Sequence, residues 1–181
     1  PPKKQEFIPA LAKAIRGEHA PNSLSLVVCN TVATSQRISK ALGKDTVLLT
    51  SRFRQQDREK NIAALLKFEK ARKESVKNNV PLAHPGLICV STQIIEAGVD
   101  VSSRRLWTEH APWPSTAQRL GRLNRDGKLN GEAKAFVFEV PADKNDKNAS
   151  PYEAVDLAVA KKIIANDANS DTLKKKSLEP K

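Results

Sequence analysis

At 181 residues the chain is long enough for one domain with a well-buried core. Its 31 lysines and arginines against 20 acids give a net charge of +11, a balance that favours polyanionic partners. No apolar run is long enough to span a membrane, and Pro1-Pro2-Lys3-Lys4 leads into no apolar secretory segment. Cys29 and Cys89 lie in apolar runs without metal or disulfide spacing, which predicts free buried thiols in a reducing, cytoplasmic setting. The absence of methionine fits either initiator removal before proline or a piece cut from a larger protein.

Residues 5–16 carry Ile8, Leu11 and Ile15 on one stripe and predict a short amphipathic helix. A turn with Pro21 and Asn22 follows. Residues 24–29, Leu-Ser-Leu-Val-Val-Cys, predict a strand buried on both faces, as in a parallel sheet. Asn30 and Thr31 end it, and a helix with Ile38 and Leu42 inward runs to a stop at Gly43. Residues 46–49 predict a second strand. The polar loop 50–58 then leads into a long basic helix, through about Val76, whose buried stripe reads as Ile62, Leu65 and Leu66. A third strand at 87–90 ends in Ser91-Thr92-Gln93, followed by a helical turn over 94–97 and Gly98-Val99-Asp100. A fourth strand starts at 106–108, and an arginine-rich helix follows Pro112-Trp113-Pro114, where Ser115-x-x-Gln118 also reads as a capping box.

Residues 134–140 predict the last strand and 141–150 a polar linker. Ser150-Pro151-x-Glu153 caps a helix to about Asn166, and 167–181 reads as a mobile tail. Strands alternating with helices predict an α/β domain in which right-handed βαβ units build a mostly parallel sheet flanked by helices.

The most informative stretch is Gln118-Arg119-x-Gly121-Arg122-x-x-Arg125. Continued as helix, it puts Arg122 and Arg125 three apart on one face. A guanidinium is a planar fork of donors that stays charged, which suits phosphate oxygens and the charge on a transferring γ-phosphoryl group. Open α/β sheets bind ligands at the carboxyl ends of their strands. Asn30-Thr31, Ser51-Arg52 and Thr92 each follow a strand, and the arginine segment follows the fourth, so together they point to an anion site. The turn after Thr92 offers N–H groups to a backbone phosphate, and Asp100 is placed to accept from a ribose hydroxyl or bridge to an arginine. No phosphate-cradling G-x-x-x-x-G-K-[ST] loop occurs, and His19, His84 and His110 show no ligand pairing, so no metal centre is expected. The chain has arginines to offer a nucleotide but no loop to hold one unaided.

These motifs resemble the second RecA-like domain of superfamily 2 helicases, with 91–101 similar to motif V and 118–125 to motif VI. The strings Thr-Ser-Arg-Phe at 50–53, Ser-Thr-Gln-x-x-Glu-Ala-Gly-Val-Asp at 91–100 and Glu-His-Ala-Pro-Trp-Pro-Ser at 109–115 narrow the resemblance. They look like the CRISPR-associated helicase–nuclease of type I systems. Asn124 stands where many superfamily members carry glycine. The resemblance implies a three-layer RecA-like domain over 1–149 and a C-terminal helix and tail over 150–181.

It also implies a motor that moves along single-stranded DNA with ATP and magnesium, held mainly by a preceding first RecA-like domain. An HD nuclease domain and the Cascade complex are the implied partners. Arg122 and Arg125 would reach the γ-phosphate, and Gln118, Gly98 and Asp100 would line the nucleotide. Thr92, Asn30, Thr31, Ser51 and Arg52 would touch the strand. The residues by themselves leave open a non-catalytic nucleic-acid-binding module and a translocase acting on RNA or duplex DNA.

Overall fold

The structure, a computed structural model, describes residues 4–80, 82–129, 131–141 and 151–169. The strands are β1 (Leu24–Val28), β2 (Thr46–Leu49), β3 (Leu87–Ser91), β4 (Arg105–Glu109) and β5 (Lys134–Phe138). They form one sheet in the order β2-β3-β1-β4-β5 with every neighbouring pair parallel. The helices are α1 (Lys4–Glu18), α2 (Val32–Leu42), α3 (Gln55–Asn78), α4 (Trp113–Leu120) and α5 (Ala154–Asn169).

Alternation along β1 sorts the core. Leu24, Leu26 and Val28 pack with Leu65 and Phe68 of α3, whereas Val27 and Cys29 pack with Leu11 and Ile15 of α1 and Ile38 and Leu42 of α2. Side chains of a strand point alternately to opposite faces, so a wholly apolar central strand needs a helical layer on each side. The result is the expected three-layer α/β RecA-like architecture, with α1 and α2 on one face and α3 on the other. Helix α4 packs on β4, and α5 packs on α4. Among the described residues no helix is long and apolar enough to cross a membrane. Cys29 and Cys89 are free and buried, and burial pushes the Cys89 thiol up to about 12 and the Cys29 thiol well above its ordinary value. Both thiols are therefore poor nucleophiles.

Three local expectations are corrected. The buried face of α3 is not Ile62-Leu65-Leu66: Leu66 is 41% exposed, and the stripe continues through Phe68, Glu69 and Arg72. Positions 62, 65, 69 and 72 keep helical spacing, whereas Leu66 falls off that line. An apolar count misses the stripe because two of its members are charged. The Ser115-x-x-Gln118 box does not cap α4, which begins at Trp113 with Pro112 as N-cap and no side-chain cap bond. Pro114 suits the first turn, where a missing N–H costs nothing. Helix α5 begins at Ala154 rather than at Pro151 and runs on past Asn166 to Asn169. The linker at 142–150, the Ser150 cap and the tail at 170–181 lie outside the described residues.

Candidate nucleotide and nucleic-acid site

Leu49, Ser91, Val28, Thr108 and Val137 lie side by side in one row across the sheet. Every expected strand contact falls within three residues beyond that row: Ser51 and Arg52 after β2, Thr92 after β3, and Asn30 and Thr31 after β1. The sheet therefore gathers them on one edge. Ser51 and Arg52 are exposed there, while Thr92 is 3% exposed. The N–H of Thr92 donates to the Leu49 carbonyl at 3.1 Å, and Thr92 is the N-cap of the single 3₁₀ turn Gln93–Ile95. The Thr31 hydroxyl caps α2 by accepting from the Thr34 N–H at 3.1 Å.

Asn30 departs from the expectation of a direct contact. Its side-chain amide donates to the His110 carbonyl at 2.7 Å, and its Oδ1 accepts from Arg119 at 3.1 Å. The cause is its place at the end of the central strand, beside a buried arginine that needs acceptors. Arg119 is fully buried. Its Nε donates to Glu96 Oε1 at 2.8 Å, and its Nη1 to the Thr108 hydroxyl and the Glu109 carbonyl at 3.0 and 2.9 Å. The Tyr152 hydroxyl is within 3.4 Å of its Nη2 and 3.2 Å of the Gln93 amide. Beneath this hub the Glu109 carboxylate accepts the Asn30 N–H at 2.7 Å. Burial raises the Glu109 pKa, against the opposing pull of that hydrogen bond and of the Arg119 charge. The hub ties the turn after β1, the turn after β3 and α4 into one rigid unit.

The arginine segment is not one helix. Helix α4 ends at Leu120 with Gly121 as its C-cap, so Arg122 and Arg125 lie beyond it and do not share a helical face. The backbone is taken over by Ser103, which bridges Leu123: the Ser103 N–H donates to the Arg122 carbonyl at 2.8 Å, and the Asn124 N–H to the Ser103 carbonyl at 2.9 Å. Asn124 sits at φ +46°, a left-handed conformation that asparagine tolerates better than any residue except glycine. That geometry explains how asparagine can stand where relatives of the motif carry glycine.

The departure from helix nevertheless sets Arg122 and Arg125 against the 95–100 segment. Arg122 Nε and Nη2 donate to the carbonyls of Ile95 and Glu96 at 3.1 and 2.8 Å, while Nη1 takes part in neither bond. Arg125 Nε pairs with Asp100 Oδ1 at 3.2 Å, and Asp100 also pairs with Lys73 of α3 at 3.2 Å. Val99 and Val101 are buried, so Gly98 and Asp100 alternate outward, with Gly98 at φ +80° and open space where a Cβ would stand. Burial lowers the Arg122 pKa, and the Arg125 charge lowers it further. Two cations close enough to feel each other attract an anion placed between them. Gln118 lies exposed on α4.

Sequence reasoning missed Arg119, Glu96 as its partner, and Tyr152. A signal existed for Arg119: Thr116, Arg119, Leu120 and Leu123 keep the i, i+3, i+4, i+7 spacing of an inward stripe.

Parallel strands covered by helices on both faces make this a three-layer α/β domain of RecA-like architecture, with hydroxyls gathered at the carboxyl edge and the Arg122–Arg125 turn held by Ser103, just before β4. A family model described as "CRISPR-associated nuclease/helicase Cas3, C-terminal" matches residues 21–128. The chain belongs to that Cas3 C-terminal family. It is 32% identical over 122 residues to the CRISPR-associated helicase Cas3 of Thermoproteus tenax, covering 66% of this chain and 19% of that protein. It is 33% identical over 122 residues to the CRISPR-associated endonuclease/helicase Cas3 of Escherichia coli, covering 64% of this chain and 12% of that protein. The chain thus spans about a fifth or less of these relatives. Among solved structures, T. fusca Cas3 with AMPPNP superposes at a TM-score of 0.68 and 20% identity, over 90% of this chain and 20% of that one. At that identity the likeness shows the fold alone.

Proposed function

We propose that this chain is the second motor domain of an ATP-dependent DNA translocase that acts on single-stranded DNA in type I CRISPR interference. The observation that carries the reading is the juxtaposition of Arg122 and Arg125 with Asp100 and the 95–96 carbonyls. Guanidinium groups fixed at their bases and charged at the tip suit the charge of a transferring phosphoryl group. Arg122 and Arg125 act as arginine fingers, while Gln118, Gly98 and Asp100 flank the nucleotide. ATP with magnesium, when bound, supplies the phosphoryl chemistry and is held mainly by a first RecA-like domain.

Ser51, Arg52, Thr92 and Thr31 contact the phosphates of the strand, while Asn30, whose side chain is turned to His110 and Arg119, holds the turn behind them. An HD nuclease domain and Cascade are the partners, and the setting is cytoplasmic. Support comes from the relatives' names, from solved Cas3 bearing AMPPNP or ATP, and from a neighbour titled "CRISPR RNA-guided surveillance complex, pre-nicking" (TM-score 0.60, 20% identity). The net charge of +11 supplies the sequence-independent attraction to phosphates.

Strand choice tests the reading. ATP turnover of the complete enzyme is measured with single-stranded DNA, duplex DNA and RNA of one length at one salt concentration. Single-stranded DNA is expected to stimulate most. Equal or greater stimulation by RNA or duplex DNA contradicts the proposed substrate.

A further inference from the structure

We infer that Asp126, gripped by Arg72 of α3, is a positioning residue that fixes the turn from which Arg125 works. The inference rests on the arginine-finger reading above. Arg125 stands between two fastenings. On its N-terminal side the Ser103–Leu123 bridge holds the backbone. On its C-terminal side Arg72 Nη2 donates to Asp126 Oδ2 at 2.6 Å, and the Ser102 hydroxyl donates to Asp126 Oδ1 at 2.9 Å. Arg72 is itself oriented by Glu69, through Nε to Oε1 at 3.0 Å and Nη2 to Oε2 at 3.1 Å. The same Glu69 Oε2 accepts the Ser102 N–H at 3.2 Å. Glu69 and Arg72 are 2% and 6% exposed.

A buried ion pair on an inward helix stripe is weak grounds for stability, since apolar residues of similar volume serve as well or better. Its effect here is geometric. The planar fork of Arg72 meets two carboxylates at fixed angles, which a point charge cannot do. Burial acts to raise the Asp126 pKa, but the hydrogen bond and charge of Arg72 and the Ser102 hydroxyl hold it below the usual carboxylate range. The carboxylate therefore stays ionised at working pH. By contrast the Arg125 side chain is 45% exposed and, among the described residues, meets only the exposed Asp100 in an ion pair. Its tip is able to turn toward an anion, while its backbone is held on both sides.

The test is Asp126→Asn in the complete enzyme, a change that keeps the shape and leaves the buried Glu69–Arg72 pair intact. A misplacement of about 1 Å costs on the order of a hundredfold in rate, so kcat is expected to fall about 10–100-fold. The KM for ATP and the affinity for ADP stay unchanged, and the affinity for ADP with fluoroaluminate, a mimic of the transferring phosphoryl group, falls with kcat. A purely structural role moves the melting temperature instead and leaves that split untouched. Arg72→Ala is unsuitable, because it strands a buried Glu69. Arg72→Lys keeps the charge but loses the fork, and its kcat is expected to fall in the same direction. Wild-type kcat and fluoroaluminate affinity in Asp126→Asn, beside an inactive Arg125→Ala, overturn this inference alone. Full activity of Arg125→Ala overturns the finger reading and this inference with it.

Discussion

Arg125→Ala in the complete enzyme is expected to lower DNA-stimulated ATP turnover by about 10³–10⁵, the range by which an arginine finger accelerates phosphoryl transfer. That corresponds to about 4–7 kcal/mol of transition-state stabilisation. The fold should not notice the change. The side chain is 45% exposed, and its ion pair with Asp100 is open to solvent and therefore worth about 0–1 kcal/mol. Turnover and thermal unfolding measured on the same preparation separate the two effects. Near-normal turnover in a folded variant removes Arg125 from the chemistry.

Arg119→Ala is expected to do the reverse, damaging the fold before the chemistry. Arg119 is fully buried, and its removal leaves the Asn30 Oδ1, the Thr108 hydroxyl and the Glu96 carboxylate without their donor. Breaking a buried charged pair from one side costs about 3–5 kcal/mol. A domain has only about 5–15 kcal/mol in total, so most of the margin is at stake. At about 2–4 °C per kcal/mol, the midpoint should fall by roughly 6–20 °C. Arg119→Lys should recover little, because one ammonium cannot reach Glu96, Thr108 and Asn30 together. Chemical denaturation gives the direct measure, and a loss below about 1 kcal/mol, no more than an average substitution causes, contradicts the hub. The two arginines stand six positions apart in one motif yet serve opposite ends of the domain's physics.

Much of the frame was legible because parallel α/β domains advertise themselves. The apolar run at 24–29 specified a strand covered on both faces, and β1 is buried throughout. The polar residues after each strand specified an edge, which the register then drew into one row. What escaped is where charge goes inside. Glu69 and Arg72 occupy an inward stripe, and Arg119 lies under a motif that reads as surface. Burial of a charged group depends on partners distant in sequence, such as Asp126 for Arg72 and Asn30 for Arg119, and local periodicity contains no trace of them. The end of α4 escaped for a similar reason. The segment after Gly121 has good helix formers, but a backbone bridge from Ser103 outcompetes the next turn of helix. Local propensity is a weak prior against such tertiary hydrogen bonds.

The central claim is that this chain is one half of a split ATP site. ATP turnover measured with single-stranded DNA tests it most directly, first on this chain alone and then on the chain joined to a first RecA-like domain. No turnover alone and DNA-stimulated turnover when joined is the predicted result. Turnover by the chain alone, or none in a joined protein that folds and binds nucleotide, contradicts it and leaves the arginine turn as a nucleic-acid-binding face.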